Sequence, residues 1–192
     1  MREPFPVNRS WTAELDERAR RLRWLLLDVD GVLTDGRLWF SADGEVMKSF
    51  DVRDGLAVQL ARRAGLEVGI LSARSSPVVA RRAADLGLAE VLQGEADKLR
   101  AFEQLLARHG LTPDEVAYLA DDLQDLPVLA RCGLPASPAD AVVEVRERVL
   151  YVTAAAGGRG AVRELVERLL AARGAWDGIV ARFAGSEEPD DS

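Results

Sequence analysis

Residues 24–36, which read WLLLDVDGVLTDG, are the stretch that decides the fold. A short apolar run bounded by polar, glycine-rich sequence is typical of a buried strand, and this one ends at two carboxylates, Asp28 and Asp30. Open parallel α/β sheets bind ligands at the carboxyl ends of their strands, so the pair indicates a site for a cation and an anionic substrate. The structural alternative is an Asx turn, in which the carboxylates bond only to nearby backbone.

Composition indicates one domain and argues against several classes of function. The chain has 192 residues with 48% hydrophobic content, which is enough for a sizeable core. A formal net charge of −7 argues against a nucleic-acid surface, which needs a basic face. The single cysteine, Cys132, excludes an internal disulfide and a cysteine-based zinc site. Since there is no apolar signal segment and no run as long as a membrane span, we expect a cytoplasmic protein without a membrane partner.

Strand and helix patterns alternate along most of the chain. Beyond the first strand, strands are predicted at 67–71, 90–92 and 116–120, with further apolar stretches at 134–136 and 149–152. Helices are predicted at 11–22, 54–64, from Ser75-Ser76-Pro77 onward, at 97–108, up to residue 130, at 138–148 and at 161–172. This alternation predicts an α/β fold with a doubly wound, Rossmann-like parallel sheet covered by helices on both faces.

Residues 37–50 interrupt the alternation with a predicted β-hairpin, which we call the flap. Asp43-Gly44 is a favoured two-residue turn between the apolar segments Leu38-Trp39-Phe40 and Val46-Met47. The predicted organisation is an N-terminal extension over 1–23, a main domain over 24–175 that contains the flap, and a C-terminal tail over 176–192. The acidic end of that tail, from about residue 184, is expected to be disordered.

Side chains suited to one chemistry fall at or near the ends of successive strands. They are Asp28, Asp30, Ser72, Lys98, Asp121, Asp122 and Asp125. In this topology the strand ends converge on one crevice, so distant segments can build a single site. A carboxylate nucleophile needs a hard cation, for which clustered oxygens favour Mg²⁺, while a hydroxyl and an ammonium can hold phosphoryl oxygens. The set predicts phosphoryl transfer, although each residue alone is also a common capping acid, loop hydroxyl or solvated lysine.

The order and spacing of these motifs resemble the haloacid dehalogenase superfamily of aspartate-nucleophile phosphatases. Residues 28–34 (DVDGVLT) resemble its first motif, and Ser72, Lys98 and residues 120–125 (ADDLQD) stand at its second, third and fourth. Ala73 and Ala120 stand where that superfamily commonly has glycine. More narrowly, the flap and residues 52–55 (VRDG) and 156–164 (AGGRGAVRE) resemble the 3-deoxy-D-manno-octulosonate 8-phosphate phosphatases.

The resemblance implies a mechanism and a cofactor. Asp28 is expected to be the nucleophile that forms an aspartyl-phosphate, and Asp30 the general acid that protonates the leaving alkoxide and then activates water. Ser72 and Lys98 are expected to bind the oxygens of the phosphoryl group. The implied Mg²⁺ ligands are oxygens of Asp28, the backbone carbonyl of Asp30, and Asp121, with Asp122 or Asp125 in support.

The resemblance also implies a substrate and an assembly. The substrate is expected to be a small sugar-acid phosphate of eight carbons, or alternatively of nine, whose carboxylate could be read by arginines, namely Arg53, Arg74 and Arg159. The family has no large cap domain and works as tetramers, so the resemblance implies a homotetramer, with Trp39 and Phe40 as interface candidates. It also implies a role in lipopolysaccharide biosynthesis. Residues 157–160 (GGRG), which we call the glycine segment, are expected to reach a neighbouring subunit, unless they are an ordinary turn.

Three other functions share part of this pattern. A phospho-acceptor signalling domain has a similar sheet, acidic pocket, hydroxyl and lysine, but its acidic pair follows the first strand and its acceptor a later one. An inactive interaction scaffold would not need the complete acidic set. A phosphomutase would pass the phosphoryl group from Asp28 to a sugar, and the lack of a cap favours water as the acceptor.

Overall fold

A six-stranded parallel sheet forms the centre of the molecule. The computed structural model describes residues 10–42, 44–88 and 90–185. The strands are β1 (Trp24–Leu27), β2 (Trp39–Ser41), β3 (Gly44–Met47), β4 (Glu67–Leu71), β5 (Val91–Leu92), β6 (Val116–Leu119), β7 (Leu134–Ser137) and β8 (Tyr151–Val152). The main sheet has the order β5-β4-β1-β6-β7-β8 with every neighbouring pair parallel. The chain order reverses at β1, which makes its end the switch point of a doubly wound sheet, as predicted.

The register explains why β1 is apolar at every position. β1 pairs with β4 on one side and β6 on the other, so it lies in the interior of the sheet. Side chains alternate between faces, and Leu25 and Leu27 therefore join one core while Trp24 and Leu26 join the other. A strand buried on both faces needs such a continuous apolar run. Asp28 follows immediately, so the chain turns polar where it leaves the sheet.

Helices cover both faces of this sheet. They are α1 (Ala13–Arg21), α2 (Val52–Arg63), α3 (Pro77–Asp85), α4 (Lys98–His109), α5 (Leu126–Leu129), α6 (Val143–Arg146), α7 (Ala161–Ala172) and α8 (Trp176–Phe183). Residues of α4, α5 and α6 pack on the face of Trp24 and Leu26, and the other five helices pack on the opposite face. Side-chain caps start several helices, as at Thr12, Ser76 and Asp97, whose oxygens accept N–H groups of the first turn.

The flap forms the antiparallel pair β2 and β3, separate from the main sheet. Its pairing shifts register between Trp39 and Phe40, and these side chains are 51% and 59% exposed. Asp43 of the predicted turn lies outside the described residues. Within the described residues, the flap is the only extended insertion between β1 and α2.

The predicted helix at 138–148 was wrong in extent, because only the single turn α6 forms there. The N–H of Ala139 donates to the carbonyl of Ala155 at 3.1 Å, and the N–H of Val142 donates to the carbonyl of Asp121 at 3.0 Å. These backbone donors are bound to neighbouring loops, so they cannot join a helix. The apolar stretch before it, at 134–136, forms strand β7.

The C-terminal tail predicted over 176–192 begins with an ordered helix. α8 occupies Trp176–Phe183, and Ile179 is 4% exposed within the core that α7 and α2 form. Residues 186–192 of the acidic end lie outside the described residues. Among the helices described, none has both the length and the hydropathy needed to cross a bilayer.

Candidate active site

Asp28 stands where the central strand ends. The residue is only 3% exposed, and its Oδ1 accepts the N–H of Val29 at 2.7 Å. The other oxygen, Oδ2, lies 3.0 Å from Nζ of Lys98. The carboxylate is therefore held on one side by backbone and on the other by an ammonium, at the edge of the sheet where ligands bind.

A buried lysine joins Asp28 to the second acidic motif. Lys98 opens α4, and its Nζ lies 2.5 Å from Oδ1 of the fully buried Asp125. The same oxygen accepts the hydroxyl of Tyr118 at 2.6 Å, a residue that the sequence analysis did not single out. Burial by itself lowers the pKa of Lys98, but Asp28 and Asp125 outweigh it and raise that pKa above its ordinary value. Lys98 therefore remains a cation across the physiological range.

Three carboxylates crowd together beside this lysine. Asp28, Asp121 and Asp125 each offer an oxygen, and these oxygens lie within 4.8 Å of one another. Burial, with repulsion from Asp125, raises the pKa of Asp28 to about 7 against the opposing effect of Lys98. Burial, with repulsion from Asp28, raises the pKa of Asp121 to about 8. Lys98 offsets only part of the negative charge of these carboxylates, so Asp28 and Asp121 bind protons more strongly than ordinary aspartates do.

The same group fits a divalent cation. Oδ1 of Asp121 is buried and has no hydrogen-bond partner among the described residues, which is costly for a carboxylate unless a cation meets it. A Cβ on Gly31 would lie 2.5 Å from Cγ of Asp121, so any larger residue would displace that carboxylate. Gly31 also has a φ of +86°, a conformation that favours glycine. Among the residues that the structure describes, Asp125 belongs to this cluster of carboxylates, whereas the side chain of Asp30 does not.

Asp30 is instead paired with a lysine that the sequence analysis missed. Lys48 follows β3, its side chain is 1% exposed, and Nζ forms an ion pair with Oδ1 of Asp30. The same Nζ lies 3.2 Å from Oε2 of Glu45 on the flap. The sequence feature that could have identified Lys48 is the rarity of lysine, since Lys48 and Lys98 are the two lysines of the chain. Only the fold shows that a residue eighteen positions away reaches the D-x-D loop, residues 28–34.

Ser72 and Asp122 both follow strands of the main sheet, but their surroundings differ. Ser72 follows β4, is 4% exposed, and its Oγ accepts the N–H of Arg74 at 3.3 Å. β4 lies beside β1, so this hydroxyl stands at the same edge of the sheet as Asp28. Asp122 is exposed, and its Oδ1 accepts the N–H of Leu123 at 2.7 Å as the cap of a short helical turn. Its supporting role near a metal stays a prediction.

The three arginines predicted to bind the carboxylate of the substrate lie in two different places. Nε of Arg74 lies 3.6 Å from Oδ2 of Asp30, and this side chain is 48% exposed. Arg53 is paired with Asp51 at 2.7 Å and also donates to the carbonyl oxygen of Arg159 at 3.3 Å. Arg53 and Arg159 line a pocket of about 260 Å³ near the flap. Arg74 therefore lies beside Asp30, whereas Arg53 and Arg159 lie together at the pocket near the flap.

The glycine segment packs against the D-x-D loop of its own chain. The N–H groups of its three glycines donate to other segments: to Asp140 Oδ1 from Gly157 (2.9 Å), to the carbonyl of Val32 from Gly158 (2.8 Å) and to Asp54 Oδ2 from Gly160 (3.2 Å). A Cβ on Gly157 would lie 2.5 Å from the carbonyl carbon of Gly31. Gly158 has a φ of +62°. The glycines allow close approach and a left-handed turn within one chain, and the reach of this segment to a neighbouring subunit stays a prediction.

The buried aspartate at the end of the central strand, the buried lysine and the second acidic motif define a class, the hydrolases of the haloacid dehalogenase superfamily. No protein-family model matches the sequence. The 3-deoxy-D-manno-octulosonate 8-phosphate phosphatase KdsC of Escherichia coli (strain K12) is 43% identical over 166 residues, covering 86% of this chain and 88% of that protein. The chain belongs to this family of 3-deoxy-D-manno-octulosonate 8-phosphate phosphatases.

Solved structures agree with this assignment. The Moraxella catarrhalis phosphatase of this name, in complex with a magnesium ion, a phosphate ion and a KDO molecule, has a TM-score of 0.87 at 35% identity and covers 90% of this chain and 99% of its own. The cobalt-bound Haemophilus influenzae phosphatase has a TM-score of 0.84 at 38% identity, covering 88% and 99%. The superfamily and family expected from the motifs are therefore confirmed.

Proposed function

We propose that this chain hydrolyses 3-deoxy-D-manno-octulosonate 8-phosphate to the free sugar acid and inorganic phosphate, with Mg²⁺ as cofactor. The observation that carries the proposal is the buried Asp28, with oxygens of Asp121 and Asp125 within 4.8 Å and Lys98 at 3.0 Å. Such a cluster can hold a nucleophile and a hard cation side by side. The substrate follows from the relatives, since the Escherichia coli protein is named for this phosphate ester.

The proposed reaction has two halves. In the first, a carboxylate oxygen of Asp28 attacks phosphorus, the bond from phosphorus to the sugar oxygen breaks, and Asp30 gives its proton to the leaving alkoxide. In the second, water attacks the phosphorus of the aspartyl-phosphate, Asp30 takes a proton from that water, and the bond to Asp28 breaks as phosphate leaves. Covalent catalysis divides a difficult displacement into two easier ones, and one carboxyl serves both as acid and as base.

The residues proposed to hold Mg²⁺ are Asp28, Asp121 and the backbone carbonyl of Asp30, with Asp125 beside them and Asp122 at the rim. When bound, the ion supplies positive charge that offsets the phosphate and the carboxylates. Ser72 and Lys98 are proposed to hold phosphoryl oxygens at the adjoining strand end. Lys98 already forms ion pairs with Asp28 and Asp125, so it also holds Asp28 in place and opposes the rise in the pKa of Asp28 that burial causes.

The arginines are proposed to recognise the sugar acid. Arg74 stands beside Asp30, so it can contact the part of the sugar next to the ester. Arg53 and Arg159 line one pocket, where a guanidinium pair suits the distant carboxylate of the substrate. Arg53 is already paired with Asp51, which holds its guanidinium in a defined position.

We also propose that the protein is a cytoplasmic homotetramer of lipopolysaccharide biosynthesis. The flap supports the assembly, since it exposes a run of large apolar side chains, with Trp39 at 51%, Phe40 at 59% and Val46 at 56% exposure. Exposed apolar strands that have no cover are prone to aggregate, and pairing between subunits would bury them.

A phosphate-release assay tests the proposed substrate. Purified protein with Mg²⁺ is given the eight-carbon sugar-acid phosphate, its nine-carbon analogue and simple hexose phosphates, each repeated with EDTA. We expect the highest kcat/KM on the eight-carbon acid and no release with EDTA or with Asp28→Asn. A higher kcat/KM on the nine-carbon acid would overturn the substrate assignment, and equal release by Asp28→Asn would overturn the mechanism.

A further inference from the structure

The flap carries a buried cation that the mechanism above does not use. The side chain of Lys48 is 1% exposed, yet this residue belongs to a surface hairpin whose apolar residues are largely exposed. Lysine is almost never buried unless it is paired. Here it is paired twice, with Oδ1 of Asp30 and with Oε2 of Glu45 at 3.2 Å. Such a placement has a high desolvation cost, so the two carboxylates must hold the ammonium in a fixed position.

Glu45 connects Lys48 to the body of the domain. Its carboxylate accepts the hydroxyl of Ser76, the residue that caps α3. The N–H of Ser76 in turn donates to Oε1 of Gln93 at 2.8 Å, beyond β5. Burial pushes the pKa of Glu45 upward, but bonds from Ser76 and Lys48 outweigh it and hold that pKa below its ordinary value. Lys48 therefore lies between one anion anchored to α3 and one on the D-x-D loop.

This pairing gives the two carboxylate oxygens of Asp30 different partners. Oδ1 faces the ammonium of Lys48, whereas Oδ2 lies 3.6 Å from Nε of Arg74, which is beyond hydrogen-bond distance. An ammonium has three donors and no acceptor, so the oxygen bound to Lys48 cannot at the same time carry a proton directed at it. The proton of a protonated Asp30 therefore belongs on Oδ2. Arg74 is half exposed and at longer range, which makes Lys48 the tighter constraint.

We propose that Lys48 is a positioning residue for the general acid, holding Asp30 by Oδ1 so that Oδ2 delivers the proton to the leaving oxygen. The inference rests on the acid–base role of Asp30 in the proposed function. In the first half-reaction the O–H bond at Oδ2 breaks, the alkoxide takes that proton, and Lys48 keeps all of its protons. Because Lys48 belongs to the flap, Asp30 is oriented only while the flap lies against the D-x-D loop.

The test compares leaving groups that need a proton with one that does not. An alkyl phosphate such as 3-deoxy-D-manno-octulosonate 8-phosphate expels a strongly basic alkoxide, whereas 4-nitrophenyl phosphate expels a stable phenolate. Rapid-quench single-turnover measurements give the rate of Asp28 phosphorylation with each. Lys48→Met should slow this step about 100-fold on the alkyl phosphate and less than about 3-fold on the aryl phosphate. Lys48→Arg, which keeps a cation, should recover most of the rate on the alkyl phosphate.

Matched variants separate positioning from general damage. Arg81→Met removes an exposed ion pair with Asp85 on α3 and should leave both rates unchanged. Glu45→Gln keeps an acceptor for Ser76 while removing the charge that holds Lys48, and should slow the alkyl phosphate selectively by about 10-fold. If Lys48→Met does not fold, Glu45→Gln alone tests the positioning role of Lys48.

Two results would overturn the role of Lys48. Equal slowing of both substrates would show that Lys48 only supports the flap, and wild-type rates in Lys48→Met or in folded Glu45→Gln would show that Asp30 needs no such partner. Asp30→Asn separates this from failure of the proposed function. If Asp30→Asn selectively slows the alkyl phosphate but the Lys48 variants do not, only the positioning role fails. If Asp30→Asn leaves both substrates at wild-type rates, the acid–base role itself is wrong.

Discussion

Gly157→Ala tests how closely the glycine segment must approach the D-x-D loop. The added Cβ would overlap the carbonyl oxygen of Gly31 and lie 2.5 Å from the carbonyl carbon, so ordinary van der Waals contact at 3.4 Å requires a shift of at least about 0.9 Å. Both sides of this contact are backbone, so no side chain can rotate away. A displacement of about 1 Å in a catalytic group can cost about 100-fold in rate. Gly31 directly follows Asp30, so we expect kcat to fall by about that factor.

The assay is kcat on 4-nitrophenyl phosphate and on the sugar-acid phosphate, with a thermal melt of each variant. Overpacking should cost about 1–3 kcal/mol of stability, which leaves the domain folded at room temperature. Gly178→Ala is the matched control, because Gly178 lies within α8 with nothing within 4 Å of the added Cβ. That change should raise helix stability by about 0.5–1 kcal/mol and leave kcat unchanged. Wild-type kcat in folded Gly157→Ala would refute the reasoning, since the loop would then tolerate the displacement.

Three further predictions concern the nucleophile, the metal and the assembly. Asp28→Asn keeps the volume but removes the nucleophile, so phosphate release should fall to background with an unchanged circular dichroism spectrum; residual wild-type turnover would contradict it. With EDTA, pKa values of about 7 for Asp28 and about 8 for Asp121 exceed the value of 3.8 expected unfolded, so the folded state binds more protons and stability should fall as pH rises from about 4 to about 8. Saturating Mg²⁺ should flatten this profile and raise Tm at pH 8, which thermal melts would show. Trp39→Glu combined with Phe40→Glu should lower the mass seen by light scattering from a tetramer to a smaller species, and a monomeric wild type would disprove the assembly.

Many residues of the candidate site could be predicted from local sequence, because their polar side chains directly follow the strands of the sheet. The apolar run at 24–27 and the carboxylates after it occur where a buried parallel strand must end, and the segment at 116–122 repeats the pattern. Burial on both faces imposes this pattern on any strand in the interior of such a sheet. The neighbours of Asp28, Ser72 and Asp121 along the chain are therefore enough to make these residues candidates, without any contact between strands.

Other features depended on contacts that no local pattern contains. Lys48 has the sequence surroundings of an exposed hairpin lysine, and only docking of the flap buries it against Asp30. The helix predicted at 138–148 had suitable composition, but its N–H groups found acceptors in other loops.

The sequence by itself determined the sheet, the order of the four motifs and the acidic cluster, because periodic burial and strand-end chemistry are properties of short segments. The tertiary structure decided which oxygen of Asp30 is held, why Asp125 lies within the cluster, and why Gly157 must be glycine. These depend on the distance between segments far apart in the chain. That distance is set by the packing of the whole core, to which every element contributes and which no single stretch encodes.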